Sequence, residues 1–279
     1  MTTPAVRVTG LVHVYPEGTR ALDGVDLAIA PGELVAIVGQ NGSGKSTLVR
    51  HLNGLLRPTD GRVEVQGQDA AGLRTAALAA RVGLAFQDPD RQIFAGKVRA
   101  EVAFGPHNMG LRGTALDVAV RESLEAVGLA DRLDANPYDL GYSRRKLLAI
   151  ASVLAMGTPI VVLDEPTTGQ DLRGIGRVRA LIERLTAEGR TVIAISHDMR
   201  FVAETFGRIV VMRSGRIILD GAPADVFAES SWPAFASTYL EPPLAARAGA
   251  RLGVGATPTE AALVEALAAR GRPDRPAAG

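Results

Sequence analysis

A chain of 279 residues with 47% apolar side chains can fold around a substantial core, which excludes disorder of the whole. A formal net charge of +1 leaves no excess of cations to neutralise many nucleic-acid phosphates, so no nucleic-acid partner is expected. The absence of cysteine excludes disulfides, thiolate metal sites and cysteine nucleophiles, and suits a reducing compartment.

The N-terminal stretch MTTPAVRVTG lacks the charged start and apolar run of a signal peptide, and no uncharged apolar stretch approaches twenty residues. The expectation is a soluble, cytoplasmic protein. Short β-like runs open the chain at Val6–Thr9, Leu11–Tyr15 and Leu22–Ala30, closed by Pro31-Gly32. Leu34–Val38 is continuously apolar, as a strand buried on both faces would be. A glycine-rich turn follows, then a helix that stops near Asn53-Gly54 with Pro58 just beyond. Arg62–Gln66 and Val82–Phe86 read as further strands.

From Asp88 to about Met156 the pattern turns helical, with periodic segments at Ala115–Val127 and Arg145–Met156. Ile160–Leu163 and Thr191–Ile195 are all-apolar strands separated by a helix over Leu172–Ala187. Arg208–Met212 and Arg216–Leu219, joined by Ser214-Gly215, predict a hairpin. After Pro242 the chain is rich in Ala, Arg, Gly and Pro, and only Thr259–Arg270 suggests a helix. Strands alternating with helices imply a mostly parallel α/β sheet with a helical insertion, without internal repeats.

GQNGSGKST at Gly39–Thr47 fits the phosphate-loop pattern G-x-x-x-x-G-K-[ST] without substitution, between an apolar strand and a helix. That setting aims backbone N–H groups and a helix N-terminus at one spot, which suits phosphate. Lys45 is placed to reach the β- and γ-phosphates, and the Ser46 hydroxyl to take a position on Mg²⁺. Lysine occurs only at Lys45, Lys97 and Lys146 among 31 basic residues, so a lysine inside the loop carries weight.

PIVVLDEP at Pro159–Pro166 sets Asp164 and Glu165 at the carboxyl end of an apolar strand, the edge where α/β sheets bind ligands. Asp164 can hold Mg²⁺ opposite Ser46, and Glu165 can deprotonate or position the water that attacks the γ-phosphate. His197, just past Thr191–Ile195, has the geometry to contact the γ-phosphate or hold that water. Gln87, just past Val82–Phe86, suits water or Mg²⁺.

In this order the motifs resemble the nucleotide-binding subunit of an ATP-binding cassette (ABC) transporter, over roughly residues 5 to 230. Phe86–Pro106 (FQDPDRQIFAGKVRAEVAFGP) resembles the energy-coupling factor and cobalt/nickel importer ATPases. The resemblance implies an α/β, P-loop NTPase core of the ABC ATPase type with an antiparallel β subdomain and a helical subdomain. Residues 1–238 would form that domain, its helical part near 88–156, and residues 239–279 a C-terminal extension, docking helix or flexible. ATP and Mg²⁺ would bind through Tyr15, Gly39, Asn41, Gly42, Ser43, Gly44, Lys45, Ser46, Thr47 and Asp164. Tyr15 would stack on adenine, although as a residue it reads equally as a buried strand aromatic. Gln87 would be the Q-loop glutamine, Glu165 and His197 catalytic, and Gly169-Gln170-Asp171 a dimer-contact loop.

The family signature, commonly LSGGQ, aligns with Leu140-Gly141-Tyr142-Ser143-Arg144, so a serine hydroxyl is lost and Tyr142 adds bulk. The helix N-terminus and Arg144 still offer positive potential to a phosphate. The implied partners are integral membrane transport subunits, docking near Asp88–Phe104, and a second ATPase subunit, alike or different. The implied location is the cytoplasmic face of the membrane, and the implied cargo a vitamin or a cobalt or nickel ion. The competing readings are another ABC transporter class, an ATP-dependent regulatory module, and a soluble cassette protein acting on ribosomes or nucleic acid. Against the last stand the near-neutral charge and the expectation that such proteins carry two cassettes or a long coiled-coil insertion, of which this sequence shows neither.

Overall fold

The computed structural model describes residues 3–270. The C-terminal extension read from the sequence therefore ends, over 271–279, outside the described residues. Two sheets organise the molecule. Strands β1 (Val6–Val14), β2 (Arg20–Ile29), β4 (Asp60–Val65) and β5 (Gln68–Asp69) form an antiparallel sheet in the order β2-β1-β4-β5. The two opening runs of the sequence are one strand: Gly10, at φ 55, bulges it and shifts the register between Val8 and Leu11.

The second sheet contains β3 (Leu34–Val38), β6 (Val82–Ala85), β7 (Ile160–Asp164), β8 (Thr191–Ile195), β9 (Arg208–Arg213) and β10 (Arg216–Gly221). Its order is β10-β9-β3-β8-β7-β6, parallel except for the β9–β10 hairpin. Alternate residues of each parallel strand face different cores. Val35, Ile37, Ile193 and Ile195 join Val6, Leu11 and Leu22 of the antiparallel sheet and Leu48 and Leu52 of helix α1 (Lys45–Leu52). Ala36, Val38, Leu163 and Ala194 face the helical side instead. Burial on both faces is why these strands are unbroken apolar runs.

After α1 come the short α2 (Thr75–Ala79), α3 (Val98–Asn108), α4 (Gly113–Ala126) and α5 (Tyr142–Leu154). Helix α5 begins three residues earlier than its apolar periodicity predicts, so Tyr142, Ser143 and Arg144 form its first turn. Helix α6 (Leu172–Ala187) is capped by Asp171, whose carboxylate accepts from Gly174 N–H at 2.7 Å. It buries Val178, Leu181, Ile182 and Leu185, the spacing of one helical face.

Beyond β8 lie α7 (Met199–Thr205), α8 (Pro223–Val226), α9 (Trp232–Ala236), α10 (Leu244–Leu252) and α11 (Glu260–Arg270). Helix α10 was absent from the sequence expectation. Its Ala246 joins the helical-side core, and Thr257 ties back to it by donating to the Ala245 carbonyl at 2.8 Å. No helix among the described residues is long and apolar enough to cross a membrane.

Candidate nucleotide site

Four neighbouring strands, β3, β8, β7 and β6, run parallel, so their carboxyl ends lie along one edge. That edge carries the phosphate loop, His197, the Asp164–Glu165 pair and Gln87, in that order. A cleft of about 460 Å³ opens there. Tyr15, Asn41, Gly42, Ser43, Gly44, Lys45, Ser46, Thr47, Gln87, Asp164 and Glu165 all line it, together with Thr19, Arg20, Ala21 and Ile195. Of the remaining expected site residues, Gly39 lies buried beneath the loop, and His197 lies at the edge against Glu165.

Glycine is required at two points of the loop. A β-carbon on Gly39, φ 151, would stand 2.2 Å from the Met212 carbonyl oxygen, and one on Gly44, φ 101, 2.6 Å from that of Ala21. The hairpin turn helps to hold the loop, because Gly215 N–H donates to the Ser43 carbonyl at 3.1 Å. Lys45 is buried and donates to the Gly39 and Gln40 carbonyls at 2.7 and 2.8 Å. Burial lowers its pKa, and the charges of Glu165 and Asp164 counter that only in part.

Tyr15 hydrogen-bonds through its hydroxyl to the Thr47 hydroxyl at 3.0 Å, and its ring stands edge-on to His13 at 4.6 Å. It is a half-buried aromatic at the cleft wall, which leaves part of its ring accessible from the cleft.

Asp164 and Glu165 are both buried. Burial raises the Asp164 pKa, while the Ser46 hydroxyl beside it acts in the opposite sense. Among the described residues, none donates a hydrogen bond to Asp164 Oδ1 or Glu165 Oε2. His197 Nδ1 stands 2.8 Å from Glu165 Oε2, but the two atoms are not aligned for a hydrogen bond, so the contact is one of proximity. Buried acceptors left without donors beside an amide-lined loop suit a cation and a polyanion. No group of three or more acidic or histidine side chains placed to hold a metal ion by themselves occurs among the described residues. The donors available, the Ser46 hydroxyl, the Asp164 carboxylate and the Gln87 amide, fit a small hard cation that keeps water and phosphate oxygens as its other ligands.

The sequence reading missed Lys146. Its side chain is fully buried, and Nζ donates to the carbonyls of Phe86 at 2.9 Å, Gln87 at 2.7 Å and Asp164 at 2.6 Å. Burial lowers its pKa to about 8. One ammonium thereby joins the ends of β6 and β7 to helix α5. Its scarcity as one of three lysines was the available signal. Arg20, which lines the cleft and pairs with Asp23 at 2.6 Å, carried no signal in the sequence.

Comparison with known proteins places this arrangement. Residues 22–168 match the ABC transporter family. An energy-coupling factor transporter ATP-binding protein, EcfA of Methanothermobacter thermautotrophicus, is 41% identical over 228 residues, 81% of this chain and 73% of its own length. Four other curated relatives are longer proteins, and the chain spans between 40% and 44% of their length. Among solved structures, cbiO1 of Clostridium perfringens, described as part of the ABC transporter complex cbiONQ, superposes with a TM-score of 0.73 at 35% identity. It covers 84% of this chain and 95% of its own. A dimeric ATP-binding cassette bound to ADP and Pi in a post-hydrolysis state gives a TM-score of 0.73 at 25% identity, over 78% of this chain and 98% of that one. The chain belongs to the ABC transporter family, as an ATP-binding, ATP-hydrolysing component that resembles the energy-coupling factor ATPases.

Proposed function

We propose that this protein is the ATPase of an energy-coupling factor type importer, pairing with a second ATPase subunit and powering uptake of a vitamin or a cobalt or nickel ion through integral membrane subunits at the cytoplasmic face. The observation that carries the catalytic part is the convergence of Lys45, Ser46, Gln87, Asp164 and Glu165 on one cleft. Lys45 and the loop amides bind the β- and γ-phosphates, and Tyr15 offers its ring to adenine. Ser46, Asp164 and Gln87 would hold a magnesium ion, whose charge offsets that of the phosphates. Glu165 accepts a proton from water as the water oxygen bonds to the γ-phosphorus and the bond to ADP breaks. His197 steadies the Glu165 carboxylate.

The transport part is supported by a surface next to Gln87. Of the apolar residues between Asp88 and Phe104, Ile93, Val98 and Val102 are core, whereas Phe94 and Phe104 are exposed and packed edge to face at 4.7 Å. They border an apolar groove of about 250 Å³ with Leu55, Phe86 and Met156. Buried Glu101 shapes its rim by accepting from the N–H groups of Phe94 and Ala95 at 3.0 and 2.8 Å. Gln92 pins the same loop to α5 by donating to the Ala149 carbonyl at 2.7 Å. A membrane subunit seated there would press on the segment that carries Gln87.

Two measurements test the reading. Glu165→Gln is expected to keep ATP affinity within about threefold and to lower turnover by about a hundredfold or more; retained hydrolysis would show that Glu165 is not the base. Tagged protein is expected to bring down integral membrane subunits from membranes, and Phe94→Ser with Phe104→Ser to lose them at unchanged ATPase rate. Recovery of ribosomes in their place would sink the importer assignment.

A further inference from the structure

The segment from Asp164 to Asp171 joins β7 to α6 and carries Glu165 at φ 51, a left-handed backbone conformation that a non-glycine residue holds only when its surroundings impose it. Within the segment, Glu165 N–H donates to the Ile195 carbonyl at 2.9 Å, and Gln170 N–H to the Thr167 carbonyl at 3.1 Å. Helix α5 grips both ends. At the near end, Lys146 Nζ donates to the Asp164 carbonyl at 2.6 Å.

At the far end the grip is a two-point pairing. Ser143 Oγ donates to Gln170 Oε1 at 2.8 Å, and Gln170 Nε2 donates to the Ser143 carbonyl at 3.0 Å. The ring of Tyr142 lies against Gly169, where a β-carbon would meet two ring atoms at 2.7 Å. The Gln170 side chain is folded over the first turn of α6, where a β-carbon on Gly174 would stand 2.3 Å from Oε1. Ser143 and Lys146 are three residues apart and share a helix face. Tyr142 and Ser143, which depart from the family signature, are therefore the residues that touch Gly169 and Gln170.

We infer that Gln170, paired with Ser143, is a positioning residue for Glu165: it fixes the far end of the 164–171 segment on the helix whose Lys146 fixes the near end. The inference rests on the assignment of Glu165 as the group that takes the proton from water. Without the pairing, the segment stays anchored at Asp164 and Ile195, so the fold persists while the Glu165 carboxylate gains freedom. Small displacements of a catalytic group cost rate rather than affinity.

The test uses the full-length protein with Gln170→Ala, Ser143→Ala, the double variant and, in parallel, Glu165→Gln. Turnover, Mg-ATP affinity and Tm are measured for each. Gln170→Ala is expected to lower kcat about tenfold, with KM within about twofold and Tm within about 2 °C of the parent. The double variant is expected to lose no more than Gln170→Ala, because both changes break one pairing. An unchanged kcat in Gln170→Ala, losses that multiply in the double variant, or a rise in KM at constant kcat would each overturn the inference. Should Gln170→Ala fold poorly, Ser143→Ala decides, since it deletes a single half-buried hydroxyl: a loss of about threefold supports the pairing, and a parental kcat overturns it. If Glu165→Gln turns over like the parent, the assignment of Glu165 is what has failed. If it is inactive while Gln170→Ala is not impaired, only the positioning role has failed.

Discussion

Glu165 Oε2 and His197 Nδ1 stand 2.8 Å apart, although all of helix α6 and strand β8 separates them in the chain. The register of the sheet produces the contact. Asp164 pairs with Ile195 across the parallel strands β7 and β8, so the residues just beyond each partner leave the sheet side by side. Glu165 then hooks onto the neighbouring strand through its N–H to Ile195, which fixes its turn relative to that strand. The histidine side chain is 65% exposed and the carboxylate 9%, so water reaches this pair from the histidine side.

His197→Ala leaves Glu165 in place and removes the neighbour of its free oxygen. Turnover is expected to fall about a hundredfold, with ATP affinity little changed, as measured by steady-state phosphate release and by fluorescent-nucleotide binding. Equal losses in affinity and turnover would mean that His197 binds nucleotide instead of aligning the carboxylate.

Lys146→Met tests the ammonium that joins β6, β7 and α5. The methionine fills nearly the same space but leaves the carbonyls of Phe86, Gln87 and Asp164 without this donor. An expected cost of about 3 kcal/mol lowers Tm by about 5–10 °C. Lys97→Met is the control. Lys97 is exposed and, among the described residues, its ammonium pairs with exposed Asp134 at 3.6 Å, so the Tm of this variant is expected to stay within about 1 °C of the parent. Equal shifts in a thermal melt would refute the role given to Lys146.

These two lysines mark where the sequence was legible and where it was not. Lys45 is readable because its chemistry is local: strand, glycine turn and helix follow one another without a break from Leu34 to Leu52. Lys146 acts across 59 and 60 residues of chain, on the carbonyls of Gln87 and Phe86, and nothing local announces that. Scarcity alone could not single it out, since Lys97 is as scarce and lies on the surface. The parallel strands were legible because burial on both faces leaves only apolar residues in them. The first turn of α5 was not, because Tyr142, Ser143 and Arg144 break the apolar period, and Ser143 is held by a tertiary partner, Gln170. Helix α10 hid in an Ala- and Arg-rich stretch whose buried face consists of Ala245, Ala246 and Gly249, too small to stand out as a hydrophobic pattern.

A buried histidine pair lies behind the phosphate loop, and its member His51 is expected to weaken the fold on the acid side. His51 Nδ1 lies 2.8 Å from the Thr47 carbonyl, which only accepts, so that nitrogen carries the proton and Nε2 is the acceptor. His13 Nδ1, 3.2 Å from His51 Nε2 and 3.2 Å from the Arg57 carbonyl, must then be a donor as well. A further proton on His51 would land on Nε2, facing His13 inside the core. Burial accordingly holds the His51 pKa below 6.5, and the Thr47 carbonyl offsets that only in part. The sign follows from proton counts: below pH 6.5 the unfolded chain binds a proton that folded His51 refuses, so stability is intact above that value and falls as pH drops through it. Melts of nucleotide-free protein between pH 7.5 and 5.5 should show Tm decreasing, with a smaller decrease in His51→Gln. An identical pH dependence in the variant would place the acid sensitivity elsewhere.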